Sequence, residues 1–336
     1  MSVDHARRRL IAAAALLASN LAVAPARALA AGDAGDTSWP DRPIRLIVPL
    51  PAGGGADIVA RLIGAQLSLR LKQRVVVENK PGGGTVIGAQ FVAHAKPDGY
   101  TLLLGTATTH AINESLVKHL PYDPIKDFEP VGLAANLPLM LVLNPSVPAN
   151  TLPELVAYVK AHPGKVNFAS TGNGSSIQLA GEMLKIEAKL DMTHVPYQGA
   201  SPALVDLLGG RVQFMFTTIP PALPYVKSGQ LKALCVASRS RSTLLPALPS
   251  TTELGYPGVV ASSWLGFLYP AQTPRIAIDR THDALQDVMK MPDLIEKLKK
   301  LGVEPDSDTP AEFTQYIQSE TARYARVIQI SGAKID

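Results

Sequence analysis

The chain has a single cysteine, Cys235, among its 336 residues. No internal disulfide can form, so the fold must be held by core burial. Cys235 itself sits in the apolar run Leu231–Ala237, the pattern of a buried strand, and reads as a core side chain rather than a reactive thiol. Aromatic residues are only 5%, too few for a base-stacking platform. Charged residues are 18%, below the ~25% of ordinary soluble domains. Low charge beside 46% hydrophobic residues argues against intrinsic disorder. The 26 glycines and 28 prolines follow no collagen-like period and mark turns between short elements. Positive charge is also scarce in most of the chain. Arg7, Arg8, Arg9 and Arg27 against Asp4 place three of the four net charges in the first 30 residues, leaving +1 for the rest. No basic field remains for nucleic acid or an anionic membrane.

Catalytic and metal signatures are missing too. There is no G-x-S-x-G nucleophile elbow. His94, His110, His119, His162, His194 and His282 show neither H-E-x-x-H spacing nor cysteine partners, so a zinc site has no support. No catalytic residue, metal or cofactor is called for.

The amino terminus has the parts of an export signal. Arg7-Arg8-Arg9 is followed by Leu10–Ala24, apolar apart from Ser19 and Asn20, and then by the small-x-small site Ala28-Leu29-Ala30. The apolar run is shorter than the ~20 residues that span a bilayer. Residues 1–30 are therefore expected to be a cleaved signal peptide, with the periplasmic form starting near Ala31. No cysteine lies near the cleavage site to carry a lipid.

The length suffices for two domains and exceeds one typical core. Ile44–Pro49, Arg74–Glu78 and Tyr100–Gly105 read as strands, with helices at Asp57–Leu71 and Val86–His94 between them. This alternation predicts parallel pairing with helices on both faces. The pattern returns with strands at Pro138–Leu143, Val166–Ala169, His194-Val195, Val212–Phe216 and Leu231–Ala237, and helices at Leu152–His162, Ser175–Leu190 and Ala203–Gly209. Ser262–Leu268 reads as a further strand, and Ile276–Met289 and Pro310–Ile328 as helices. The fold class is α/β, two lobes with a ligand cleft between them. In such sheets ligands sit at the carboxyl ends of strands.

Three loops combine glycine or hydroxyl residues with a strand end or helix start: 49–57, 105–110 and 170–176. Backbone N–H groups and hydroxyls in such loops bind anionic oxygen without a charged side chain. None has a nucleotide-binding spacing, and Gly82-Gly83-Gly84 also fails, with Ile87 where a glycine is needed. The candidate ligand residues are Pro51, Ala52, Gly53, Gly54 and Asp57 in the first loop, Thr106, Thr108 and Thr109 in the second, and Ser175 and Ser176 in the third. Tyr197, Gly199, Ala200 and Asp206 are candidates opposite them. Asp57 reads equally as a helix N-cap, and Asp206 as a solvated helix position or the partner of a loop amide. His110 is the one histidine in a candidate loop, and Trp264 reads as pocket wall or core.

These residues resemble the periplasmic solute receptors of tripartite tricarboxylate transporters, also called Bug or TctC receptors. The resemblance runs from Trp39 nearly to the end of the chain. It is carried by Pro51-Ala52-Gly53-Gly54 with Asp57 and Ala60-Arg61, Val77-Glu78-Asn79-Lys80-Pro81-Gly82, and Lys96-Pro97-Asp98-Gly99-Tyr100-Thr101. Pro121-Tyr122-Asp123-Pro124, Val195-Pro196-Tyr197-Gln198-Gly199, Asp206-Leu207-Leu208-Gly209-Gly210 and Trp264-Leu265-Gly266 complete it. The resemblance implies a type II periplasmic binding fold, with residues 38–138 plus 256–336 in one lobe and 139–255 in the other. It implies a monomer that captures a small carboxylate-bearing solute, holds it through loop N–H groups and hydroxyls, and closes by hinge motion. Its partners would be that organic acid and the membrane permease subunits, with no nucleic acid. Gln198 and Gln178 stand where the family often has Lys and His, and both changes are expected near the cleft. Thr85-Val86 replaces a frequent Gly-Asn pair. A sensor that presents its solute to a signalling partner is the alternative function, and an exported hydrolase a more distant one, since it would need a nucleophile–base pair.

Overall fold

The computed structural model describes residues 39–331 apart from residue 243. The expected signal at 1–30 and the start near Ala31 lie outside the described residues. The described residues from Pro40 onward form one compact unit. None of its helices, among the described residues, is long and apolar enough to cross a membrane.

The sheet begins with β1 (Ile44–Val48), whose apolar residues are buried on both faces, as a central parallel strand requires. It pairs in parallel with β2 (Val75–Asn79) on one side and β3 (Thr101–Thr106) on the other. The crossovers are α1 (Gly55–Leu71), which buries Val59, Ala60, Ile63 and Leu67 at helical spacing, and α2 (Val86–Ala93). A π-helical turn at Thr108–Ile112 runs from the end of β3 into the short α3 (Asn113–Leu116).

The longest strand is β4 (Phe128–Leu143), which joins the two halves of the sheet. From Phe128 to Pro138 it pairs antiparallel with β9 (Ser262–Pro270), which also pairs with β3. From Leu139 to Leu143 it pairs antiparallel with β7 (Phe214–Thr218), and from Met140 to Leu143 with β8 (Lys232–Val236). Register shifts between Pro130 and Gly132 and between Leu133 and Ala135 bend the strand on its way. Beyond β7 lie β5 (Asn167–Ser170) and β6 (Thr193–Pro196), both parallel. The order is β2-β1-β3-β9-β4-β7-β5-β6, with β8 and the two-residue β10 (Glu304–Pro305) also on β4.

Helices α4 (Leu152–Ala161), α5 (Ser176–Glu187) and α6 (Ala200–Leu208) alternate with the strands of the second half. Helices α7 (Ile219–Lys227) and α9 (Pro292–Lys300) are additions to the sequence reading. Pro220 and Pro221 of α7 fall in the first turn, where a missing N–H costs nothing. Helix α8 is Arg275–Met289. The last helix, α10 (Pro310–Ser331), starts from a reciprocal cap: Thr309 N–H donates to Glu312 Oε2 and Glu312 N–H to Thr309 Oγ1. It braces the entry to β9, since Arg323 Nη1 donates to the Val260 carbonyl and Tyr324 Oη to that of Ser262. Cys235 is fully buried, and burial pushes its thiol up to about 12, so it is an inert core residue.

Candidate functional site

The carboxyl ends of β1, β3, β5, β6 and β7 open on one cavity of about 360 Å³. Its walls are the starts of three helices: Gly54–Ala56 of α1, Ser175–Ile177 of α5, and Gly199 and Ala200 of α6. The turn 81–85, Thr106, Thr108, Thr218 and Ser263 add to the polar lining, and Leu50, Leu137 and Ile177 supply apolar surface. The N-cap residues of α1 and α6 are Gly54 and Gly199, which have no side chain with which to cap them. Their first N–H groups and the positive ends of their dipoles therefore serve the cavity. The lining contains no Arg, Lys, His, Asp or Glu.

Each loop is tied from behind. Asp57, 4% exposed, reaches back from the first turn of α1 to accept the Gly53 N–H at 3.0 Å. It also accepts from Asn79 Nδ2 at 3.0 Å and pairs with Arg61 at 2.9 Å. Burial alone would raise its carboxyl. Arg61, the Gly53 N–H and Asn79 outweigh burial and hold it below the usual carboxylate range. Asn79 Nδ2 donates to the Leu50 carbonyl as well, so the end of β2 anchors the whole first loop. Gly82, Gly83 and Gly84 have φ of 127°, 55° and 59°, a left-handed run that explains the triple glycine. Thr85 extends that run at φ 79°, and Asn113 Nδ2 pins it through the Gly84 carbonyl at 3.0 Å.

The third loop uses its own side chains. Ser175 donates to the Gly172 carbonyl at 2.8 Å and accepts the Gln178 N–H at 3.1 Å, an N-cap for α5. Gln178 Oε1 accepts the Gly174 N–H at 2.6 Å. Two sites of contact join the halves of the sheet across the cavity. Gly199, at φ 111°, lies so close to Pro51 that a Cβ would stand 2.9 Å from its ring, and a Cβ on Gly84 would stand 3.3 Å from the Asn173 carbonyl oxygen.

Of the residues singled out in the sequence, Pro51, Gly54, Thr106, Thr108, Ser175, Ser176, Tyr197, Gly199 and Ala200 line the cavity. Ala52, Gly53, Asp57, Thr109 and Asp206 do not. Asp57 is the brace just described, Thr109 is fully buried behind Thr106, and Asp206 accepts the Tyr197 hydroxyl at 2.7 Å while paired with Arg211. Tyr197 therefore shows the cavity its ring and backbone. Its phenol is pushed up to about 12 by burial and by Asp206. Ser175 lines the cavity with its hydroxyl already engaged, whereas the hydroxyls of Thr108 and Ser176 form no hydrogen bond among the described residues. Gln198 lines the cavity, but Gln178 holds the glycine loop instead. His110 and Trp264 are fully buried outside the lining, Trp264 against Phe313 and Tyr316. Sequence reasoning missed Leu137, Thr218 and Ser263, which come from β4, β7 and β9 and carry no local signal.

A serine–histidine contact does exist, Ser170 Oγ to His194 Nε2 at 2.6 Å. Ser170 is fully buried, is not in the cavity lining and accepts the Gly172 N–H, so it shapes the turn and cannot reach a substrate.

The chain matches the family model described as "Tripartite tricarboxylate transporter family receptor" over residues 59–333. It is 38% identical over 308 residues to Protein BugT of Bordetella pertussis, covering 91% of this chain and 94% of that one. Among solved structures, a protein of R. palustris with adipate superposes with a TM-score of 0.86 at 32% identity, over 88% of this chain and all of that one. MatC from Rhodopseudomonas palustris with bound malate gives 0.82 at 34% identity, over 86% and 100%.

Proposed function

The chain belongs to the tripartite tricarboxylate transporter receptor family, and from that membership we propose that it captures a small organic carboxylate in the 360 Å³ cavity and hands it to the permease subunits of such a transporter. The family is one of binding receptors rather than catalysts, its fold is the type II periplasmic binding fold, and it works in the periplasm. The observation that carries the carboxylate reading is a cavity walled by three helix starts and free hydroxyls, with no cation in the lining. Backbone N–H groups fixed in a helix start bind an anion with little reorganisation, and each charge-assisted bond nets ~1.5–3 kcal/mol. Adipate and malate in the two R. palustris relatives support the same class.

Residues 139–255 form the second lobe in this reading, and the segments on either side form the first. The hand-over of β4 at Pro138 and Leu139 supports that division. Closing contacts such as Pro51 on Gly199 then join one lobe to the other.

The ligand hydroxyls are assigned to Thr108 and Ser176, with Thr106. Thermal shifts with acetate, butyrate, malate, adipate and benzoate will identify an acid, since saturation at 100 times Kd adds ~2.7 kcal/mol. On that acid, Ser176→Ala should weaken binding about tenfold, the loss of one charge-assisted bond. Ser175→Ala should mainly cost ~1 kcal/mol of stability through the lost cap. Calorimetry giving the reverse order, or an essential Arg or Lys elsewhere, would overturn the assignment.

The lining also sets the pH response. Its one titratable side chain is the Tyr197 phenol, pushed up to about 12. Affinity for a fully ionised acid should therefore change less than about threefold between about pH 6 and 9, where an unperturbed histidine would titrate. A steeper calorimetric profile would require a titrating group at the site.

A further inference from the structure

A buried imidazole, His110, stands behind Thr106 of the cavity wall, with Thr109 between them. His110 has no exposed surface, and its ring packs against Phe128 at 4.8 Å between centroids. Gly105 makes room for it: a Cβ there would stand 3.1 Å from both Nδ1 and Cε1. Burial pushes its pKa down to about 3, so the ring is neutral and carries one proton. Nδ1 lies 2.7 Å from Thr109 Oγ1, and Nε2 has no hydrogen-bond partner among the described residues. Thr109 Oγ1 accepts the Thr106 N–H at 2.7 Å and lies 2.9 Å from the Thr106 carbonyl oxygen. Thr106 Oγ1 in turn accepts the Thr109 N–H at 3.2 Å and stands 3.4 Å from Thr109 Oγ1.

Two proton arrangements are possible. With the ring proton on Nε2, a buried N–H has no acceptor. Thr109 must then give its only proton to Nδ1, which leaves two bare oxygens facing each other at the Thr106 carbonyl. With the proton on Nδ1, the ring donates to Thr109 Oγ1, which donates to the Thr106 carbonyl. Only an acceptor, Nε2, is then unpaired. Buried N–H groups are rarely left orphaned, so the second arrangement prevails. In it, Thr109 Oγ1 accepts two hydrogen bonds and donates one, and has no lone pair left for the Thr106 hydroxyl. That hydroxyl proton then has the cavity as its outlet, since Thr106 lines it.

We propose that His110, acting through Thr109, is a positioning residue that holds the Thr106 hydroxyl as a hydrogen-bond donor into the cavity, so that this wall favours a ligand acceptor such as a carboxylate oxygen. The ligand class rests on the function proposed above, but the direction of the hydrogen bonds does not.

The first test is nitrogen-15 NMR of the histidine ring in the ligand-free protein, with His110→Asn used for assignment. A protonated Nδ1 and a bare Nε2 are expected. A proton on Nε2 would overturn the proposal, and this result is read without any carboxylate, so it stands apart from failure of the functional reading. The second test is a double-mutant cycle on affinity with adipate as the probe. His110→Leu frees a lone pair on Thr109 that draws the Thr106 hydroxyl away, and should weaken binding about threefold to tenfold. His110→Asn, which can still donate at the Nδ1 position, should restore most of it. In a Thr106→Val background His110→Leu should add nothing. An equal loss in both backgrounds would mean that His110 merely supports the loop, and would overturn the proposal.

Discussion

Replacing Gly55 by alanine is expected to lower carboxylate affinity about 100-fold, the loss of two charge-assisted bonds at ~1.5 kcal/mol each. Gly55 opens α1 beneath the cavity, and a Cβ there would stand 2.5 Å from Thr218 Oγ1, 3.2 Å from Thr218 Cβ and 3.1 Å from Leu137 Cδ2. Rotating the Thr218 hydroxyl relieves only the first of these. The helix start itself has to back away, and its N–H groups go with it. Overpacking of this kind also costs ~1–3 kcal/mol of stability. Gly64, on the same helix, is the control. A Cβ there meets Val77, Leu46 and Val75 at 3.6–3.7 Å, ordinary contact distance. Gly64→Ala should leave affinity unchanged and add up to ~1 kcal/mol of stability through helix propensity. Calorimetry and thermal unfolding of both variants decide the matter, and wild-type binding by Gly55→Ala would show that the start of α1 does not hold the ligand.

Asp57→Ala should be the most destabilising change in the loops, by ~2–3 kcal/mol. It removes the acceptor of the Gly53 N–H and of Asn79 Nδ2, each worth ~1 kcal/mol net. The partner Arg61 is half-exposed and adds little more, because solvent screens that pair. The pH dependence gives the effect a signature. The folded-state carboxyl is held below its unfolded value, so the native protein binds fewer protons there than the unfolded chain. Its contribution is complete above the unfolded value of ~3.9 and is lost as pH falls through the lower folded one. The gap in unfolding free energy between wild type and Asp57→Ala should be constant from about pH 7 to 5 and narrow below about pH 4. A gap independent of pH would mean that the side chain acts by packing alone. Because Asp57 braces the first loop and does not line the cavity, affinity measured where the variant is fully folded should fall far less than in Gly55→Ala.

What the sequence by itself determined is local. The apolar run Ile44–Pro49, the helical spacing of Ile58, Leu62, Ile63 and Leu67, and the hydroxyl- and glycine-rich loops after strands are patterns over a few residues, and they place helix starts at strand ends without knowledge of the fold, although the structure buries Val59 and Ala60 in place of Ile58 and Leu62. The prolines of α7 hid a helix, because Pro220 and Pro221 fit its first turn but Pro224 lies inside it, where a proline reads as a breaker. Tertiary structure alone decided how hydroxyls and carboxylates are spent. Ser175 and Ser176 are neighbours of equal chemistry, yet the first is consumed by the Gly172 carbonyl and the Gln178 N–H while the second stays free for a ligand. Asp57 and Asp206 could each have faced a ligand or a brace. The choice fell to Asn79 and Arg61 in one case and to Tyr197 and Arg211 in the other. Thr218 and Ser263 enter the cavity only because β4 leaves β9 at Pro138 and takes up β7 at Leu139, bringing strands from distant parts of the chain to one place. A hydrogen bond forms once per lone pair or proton, so which partner claims it depends on every group the fold brings within reach, and that set is not contained in any short window of sequence.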